Sequence, residues 1–173
     1  MILVDWQIQK LAENGLVEPF NCRHINPSSL DVHVGGEAIV TRLDDYGIPR
    51  ERTIDLTSYT EEHPFLIEPN EFFLSCLKEK ITLPTNVASE FKLVSSTARQ
   101  GWNHLHASWA DNGYGGVLTL ELVNVNRYSD LPLWAGMRIG QLIFNRTEEP
   151  RKYYSKTGRY HGDRTVQKSK GNK

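Results

Sequence analysis

After Gly15 the chain loses its helical period. From residue 29 to residue 146 it runs as short apolar or alternating segments, cut by Gly, Pro, Asn and Asp. The segments at 29–34, 37–43, 52–57, 65–69, 71–84, 90–96, 115–124, 130–135 and 138–146 read as strands. About nine strands of this length, each bounded by turn formers, predict a mostly-β sandwich or barrel. One short amphipathic helix precedes them at 4–15, "VDWQIQKLAENG", with Asp5 as its N-cap and Gly15 as its stop.

A chain of 173 residues suits one domain, 1–173, and is long enough to bury a core without disulfides or structural metals. Its two cysteines, Cys22 and Cys76, are far apart and form no C-x-x-C pair. A formal net charge of −1 gives no general attraction to nucleic acid or acidic membranes, so neither is expected as a partner. The N-terminal segment lacks the pattern of a signal peptide, and no apolar run reaches membrane-spanning length. A soluble cytoplasmic protein is the expectation. Charge is uneven, however. Residues 151–173 hold eight Lys or Arg against one acid, Asp163. This basic tail reads either as a solvated end or as a flap that folds over an anion.

Three segments carry chemistry-bearing residues. "SSTAR", Ser95 to Arg99, falls at a predicted strand end. Its hydroxyls and guanidinium can cradle an anion or a water; the plain reading is a cap or turn. "HLHASWADNGYGG", 104–116, joins two His, an Asp, a Tyr and three Gly. Its glycines let backbone approach a ligand closely, and its plain reading is a hairpin. In "GGVLTLELVN", 115–124, period 2 puts Leu118, Leu120 and Leu122 on one face and Val117, Thr119, Glu121 and Val123 on the other. Glu121 by itself reads as a solvent-facing strand residue. Its half-apolar face also suits a carboxylate that must both take and give a proton.

These segments, with "INPSSLDVHVG" (25–35), "LIEPNEFFLSCLKEKITLP" (66–84), "GMRIGQLIF" (136–144) and the tail "YYSKTGRYHGD", resemble in order and spacing the dCTP deaminase family, whose fold is shared with the trimeric dUTPases. The resemblance runs nearly end to end. It implies a distorted jelly-roll, a homotrimer with active sites between subunits, and a basic tail that closes over the site. It implies hydrolytic deamination of a cytosine deoxynucleotide, dCTP to dUTP and ammonia, within pyrimidine deoxynucleotide metabolism. It assigns Glu121 as the proton-shuttling carboxylate, Ser95 and the Ala107 carbonyl as holders of the attacking water, and Arg99 as its electrostatic support. Ser96, His104, His106, Asp111, Tyr114, Gln141, Tyr154, Arg159 and Tyr160 fall at substrate-binding positions.

No cofactor is implied for the chemistry. The H-x-E and P-C-x-x-C signature of zinc deaminases is absent from the sequence, and magnesium would enter only with the nucleotide phosphates. The family pattern is broken in four places. Val94 replaces an arginine before the paired serines, and "RQGWNH" is one residue short. His106 stands for a threonine, and Asp163 for a glutamine. Val94 and Asp163 open a monophosphate substrate, dCMP to dUMP, as an option. A dUTP pyrophosphatase, a bifunctional deaminase–dUTPase and a catalytically silent nucleotide-binding relative are the competing readings.

Overall fold

The strand from Ser29 to Leu43 organises the molecule. The structure is a computed structural model that describes residues 1–105 and 107–171. In chain order the first elements are α1 (Asp5–Ala12), β1 (Val17–Glu18), β2 (Ile25–Asn26), β3 (Ser29–Leu43), β4 (Pro49–Asp55) and β5 (Phe65–Ile67). Then come β6 (Phe72–Thr82), β7 (Val87–Leu93), α2 (Ser95–Gln100), β8 (Trp102–His104) and β9 (Trp109–Ala110). The last are β10 (Gly115–Asn124), β11 (Leu131–Leu133), β12 (Arg138–Arg146) and α3 (Tyr154–Thr157). The expected mostly-β fold with a short N-terminal helix is what the chain adopts.

Among the described residues, ten strands form one sheet whose main path is β8-β10-β6-β3-β12-β7-β9. The sheet curls into a half-barrel. The first half of β3 pairs with β12, and its second half with β4 and β6. The two strands expected at 29–34 and 37–43 are therefore one strand with a register shift between Val34 and Ala38. Gly35 permits it: a Cβ there would meet Cys76 Sγ at 2.7 Å and the Leu77 carbonyl at 2.9 Å. The core gathers Phe73, Phe91, Phe144, Leu77, Leu120 and Leu122, all essentially without solvent contact. Each such side chain contributes up to about 1.5–3 kcal/mol.

Two local expectations change. α1 begins one residue earlier than supposed, with Val4 as N-cap; Asp5 is the first helical residue, and its carboxylate accepts from the Trp6 N–H at 2.8 Å. Gly15 does end the turn, at φ +87°. "SSTAR" is not a strand end but the body of α2, which Gly101 closes at φ +110°. Strand β7 ends at Leu93: the Val94 N–H still reaches the Ile139 carbonyl of β12, at 3.3 Å, but the Val94 carbonyl accepts from the Ala98 N–H, at 3.0 Å, and starts the helix.

Candidate active site

β10 is the wall on which the site is built. Leu120, Leu122 and Asn124 point into the core, while Glu121 and Val123 stay half-buried on the other face. A register shift against β6 between Val117 and Thr119 breaks the alternation. Val117 and Leu118 both end on a cavity wall, so the expected leucine face holds for Leu120 and Leu122 but not for Leu118. The cavity measures about 480 Å³ and is lined by Glu121, Thr119, Leu74, Ala107, Asp111 and Tyr114, among others. That volume suits a ligand the size of a nucleotide.

One Glu121 oxygen, Oε2, is turned inward. It faces His104 Nε2 at 3.4 Å, too poorly aligned for a hydrogen bond, and neither atom has a hydrogen-bond partner among the described residues. The Glu121 side chain as a whole keeps 30% of its exposure, on the cavity side. The ladder sets this meeting: β8 pairs antiparallel with β10, His104 against Leu122, and the Leu105 N–H donates to the Glu121 carbonyl at 3.0 Å. The His104 ring, itself buried, sits edge-on to Phe91 at 4.9 Å. His104 thus faces the carboxylate from behind instead of lining the cavity.

On the rim, the Asp111 carboxylate accepts from Trp109 Nε1–H at 2.9 Å. The buried Tyr114 hydroxyl donates to the Val117 carbonyl at 2.9 Å. Burial pushes the Tyr114 phenol well above its ordinary range, and the neighbouring Asp163 and, to a lesser degree, Tyr154 act in the same direction. Tyr114 and Tyr154 stand 5.4 Å apart, ring to ring.

The tail returns along β10. The Gly162 N–H donates to the Gly115 carbonyl at 2.6 Å, the Val117 N–H to the Asp163 carbonyl at 2.8 Å, and the Gln167 N–H to Thr119 Oγ1 at 3.0 Å. Val166 buries itself beside Ile39 and Cys76. Tyr154, Tyr160, Asp163 and the stretch from Gln167 to Ser169 thereby line the cavity. None of Gln167, Lys168 and Ser169 was named as a site residue: the signal for Gln167 and Lys168 was membership of the basic tail alone, and Ser169 fell at the serine that ends the family's closing segment.

Several expected site residues lie elsewhere. Ser95, Ser96 and Arg99 are exposed on α2, and Ser96 lines a separate cavity of about 520 Å³ with Gln100, Trp134 and Arg138. The Gln141 side chain accepts from the Ser29 hydroxyl at 2.6 Å on β12, away from Glu121. Arg159 does not line the cavity; its guanidinium holds the Gly171 carbonyl. None of the first four lines the β10 cavity: α2 and β12 lie on other parts of the sheet's path. His106 lies outside the described residues.

A half-buried carboxylate in a nucleotide-sized cavity, with a second carboxylate on the rim, is an arrangement for acid–base chemistry on a small polar ligand. Residues 2–147 match the family model described as dCTP deaminase-like. The chain belongs to the dCTP deaminase-like family, a family of hydrolytic enzymes. It is 36% identical to a "dCTP deaminase, dUMP-forming" of Methanosphaerula palustris, over 95% of this chain and 92% of that one. A protein of the same name from Aquifex aeolicus is 36% identical over 96% and 92%. One from Persephonella marina is 34% identical over 95% and 93%. In fold, the chain is similar to the crystal structure of 2'-deoxycytidine 5'-triphosphate deaminase from Agrobacterium tumefaciens. That match has a TM-score of 0.68 at 22% identity, covering 84% of this chain and 47% of that one.

Proposed function

We propose that this chain converts dCTP and two waters into dUMP, ammonia and diphosphate. The observation that carries the reading is Glu121, a half-buried carboxylate that opens onto the cavity with His104 behind it. The names of the relatives support dUMP as the product, in place of the dUTP that the residue pattern suggested.

In the first step water attacks C4 of cytosine. Water is a poor nucleophile at neutral pH, so Glu121 takes its proton and hands it to N3. The C4–N4 bond then breaks. The hydroxyl proton goes to the leaving amine through the same carboxylate, and C4 is left as the uracil carbonyl. Ala107, on the cavity wall, offers its carbonyl to the attacking water. In the second step a water attacks the α-phosphorus and diphosphate leaves, with Asp111 on the rim taking the proton. Tyr114 packs beside the deoxyribose, and Tyr154 and Tyr160 close over the nucleotide.

Ser95, Ser96, Arg99 and Gln141 reach a cavity of this kind only from another copy of the chain. We therefore take the working unit to be a trimer in which α2 and β12 of one copy complete the β10 cavity of the next. Magnesium accompanies the phosphates as part of the substrate; among the described residues no group of three or more His, Cys, Asp or Glu is placed to hold an ion. We treat 1–173 as one domain with 151–173 as its lid. We place it in the cytoplasm, where two unbridged cysteines stay reduced. No helix among the described residues is long and apolar enough to cross a membrane.

The test is to incubate the protein with dCTP and magnesium and separate the products. Ammonia and diphosphate should appear in equal amounts with dUMP. Accumulating dUTP would remove the second step, and absence of ammonia would remove the first.

A further inference from the structure

Lys170 is held in an unusual number of contacts for a residue near the end of a chain. Its ammonium lies 3.0 and 3.3 Å from the two carboxylate oxygens of Asp163 and donates to the Arg159 carbonyl at 2.8 Å. It also stands 4.8 Å from the centre of the Tyr160 ring. Its backbone N–H donates to the Tyr160 hydroxyl at 3.2 Å. The Asp163 side chain is only 13% exposed, and Lys170 is its one ion-pair partner among the described residues.

The partners matter because of where they stand. Asp163 and Tyr160 both line the cavity that holds Glu121. With Asp111 that makes three carboxylates around one cavity meant, on the reading above, for a polyphosphate. An unneutralised Asp163 would repel each phosphate charge across a partly desolvated space. The segment that begins α2 offers little to offset it, since Val94 is apolar and buried and Arg99 is the single cation of that helix. The cation that meets Asp163 directly comes from the tail itself.

We propose that Lys170 is a specificity-determining residue. By neutralising Asp163 it allows the cavity to take a nucleoside triphosphate in preference to a monophosphate. Lys170 does no chemistry; it acts through Asp163. The inference rests on the reading of this cavity as a cytosine-nucleotide site.

The test measures binding of dCTP and dCMP to the full chain by titration calorimetry. Lys170→Gln should weaken dCTP about tenfold or more, because one negative charge is uncovered beside a ligand of high charge, and should move dCMP much less. Lys170→Arg should retain the wild-type preference. Lys170→Gln combined with Asp163→Asn should recover most of the lost dCTP affinity, an outcome that a merely structural role for Lys170 would not give. Three results would overturn the inference while leaving the functional reading intact: unchanged dCTP affinity in Lys170→Gln, equal losses for both nucleotides, or no recovery in the double variant. A wild-type protein that binds neither nucleotide would overturn the functional reading and this inference together.

Discussion

Among the described residues, Glu121 Oε2 is one of three side-chain polar atoms buried without a hydrogen-bond partner; Trp102 Nε1 and His104 Nε2 are the others. An unsatisfied buried group costs about 1–3 kcal/mol, so three in one chain are a sizeable cost. Two of them, Glu121 Oε2 and His104 Nε2, face each other across 3.4 Å behind the cavity wall. Tyr114 shows the opposite economy: its hydroxyl is satisfied, and it is kept neutral. Its phenol lies above the ordinary value of 10.0, first because of burial and then because of Asp163. A group whose folded value is raised gives stability that is complete below the unfolded value and is lost as pH rises through the folded one. The urea midpoint should therefore fall from about pH 10 upward, and Tyr114→Phe should flatten that limb. An equally steep limb in the variant would remove Tyr114 as its source. The sequence alone could place Glu121 on a strand and Tyr114 beside a turn. It could not show His104 behind Glu121, because that contact depends on the pairing of β8 with β10.

At the scale of elements, long periodic strands were the most legible. The segments 115–124 and 138–146 match β10 and β12 residue for residue. α2 was not legible, because the helix is only six residues long, Ser95–Gln100, and its serines read equally well as a turn. The fold of the tail was hidden for another reason: its docking is mostly backbone pairing, which leaves little pattern in residue types. Gly116 is the key to that docking. Its φ is +142°, and a Cβ there would lie 2.9 Å from the Asp163 carbonyl and 3.1 Å from its nitrogen. Gly116→Ala should cost about 1 kcal/mol or more in tail docking, since alanine resists this conformation. Limited trypsin digestion should then cut after Arg164 or Lys168 faster than in wild type, with the sheet left folded. Unchanged cleavage would mean that the tail does not depend on this close approach.

For the whole molecule, the half-barrel separates the residues that the proposed chemistry needs together. Glu121, Ala107 and Asp111 line the β10 cavity, while Ser95 and Arg99 stand exposed on α2. Residue order carried the family resemblance but said nothing of this separation, because motifs adjacent in a pattern can lie on different parts of a curled sheet. On the proposed mechanism a trimer is a chemical requirement, with each carboxylate served by a neighbour's helix. The most direct test mixes two inactive proteins. Glu121→Gln and Arg99→Ala chains, each purified, are unfolded together, refolded and assayed for ammonia release from dCTP. Each alone should be nearly silent and the mixture active, since some cavities then combine an intact Glu121 with an intact Arg99 from another copy. A mixture as silent as its parts, or a Glu121→Gln chain that still releases ammonia, would contradict the account.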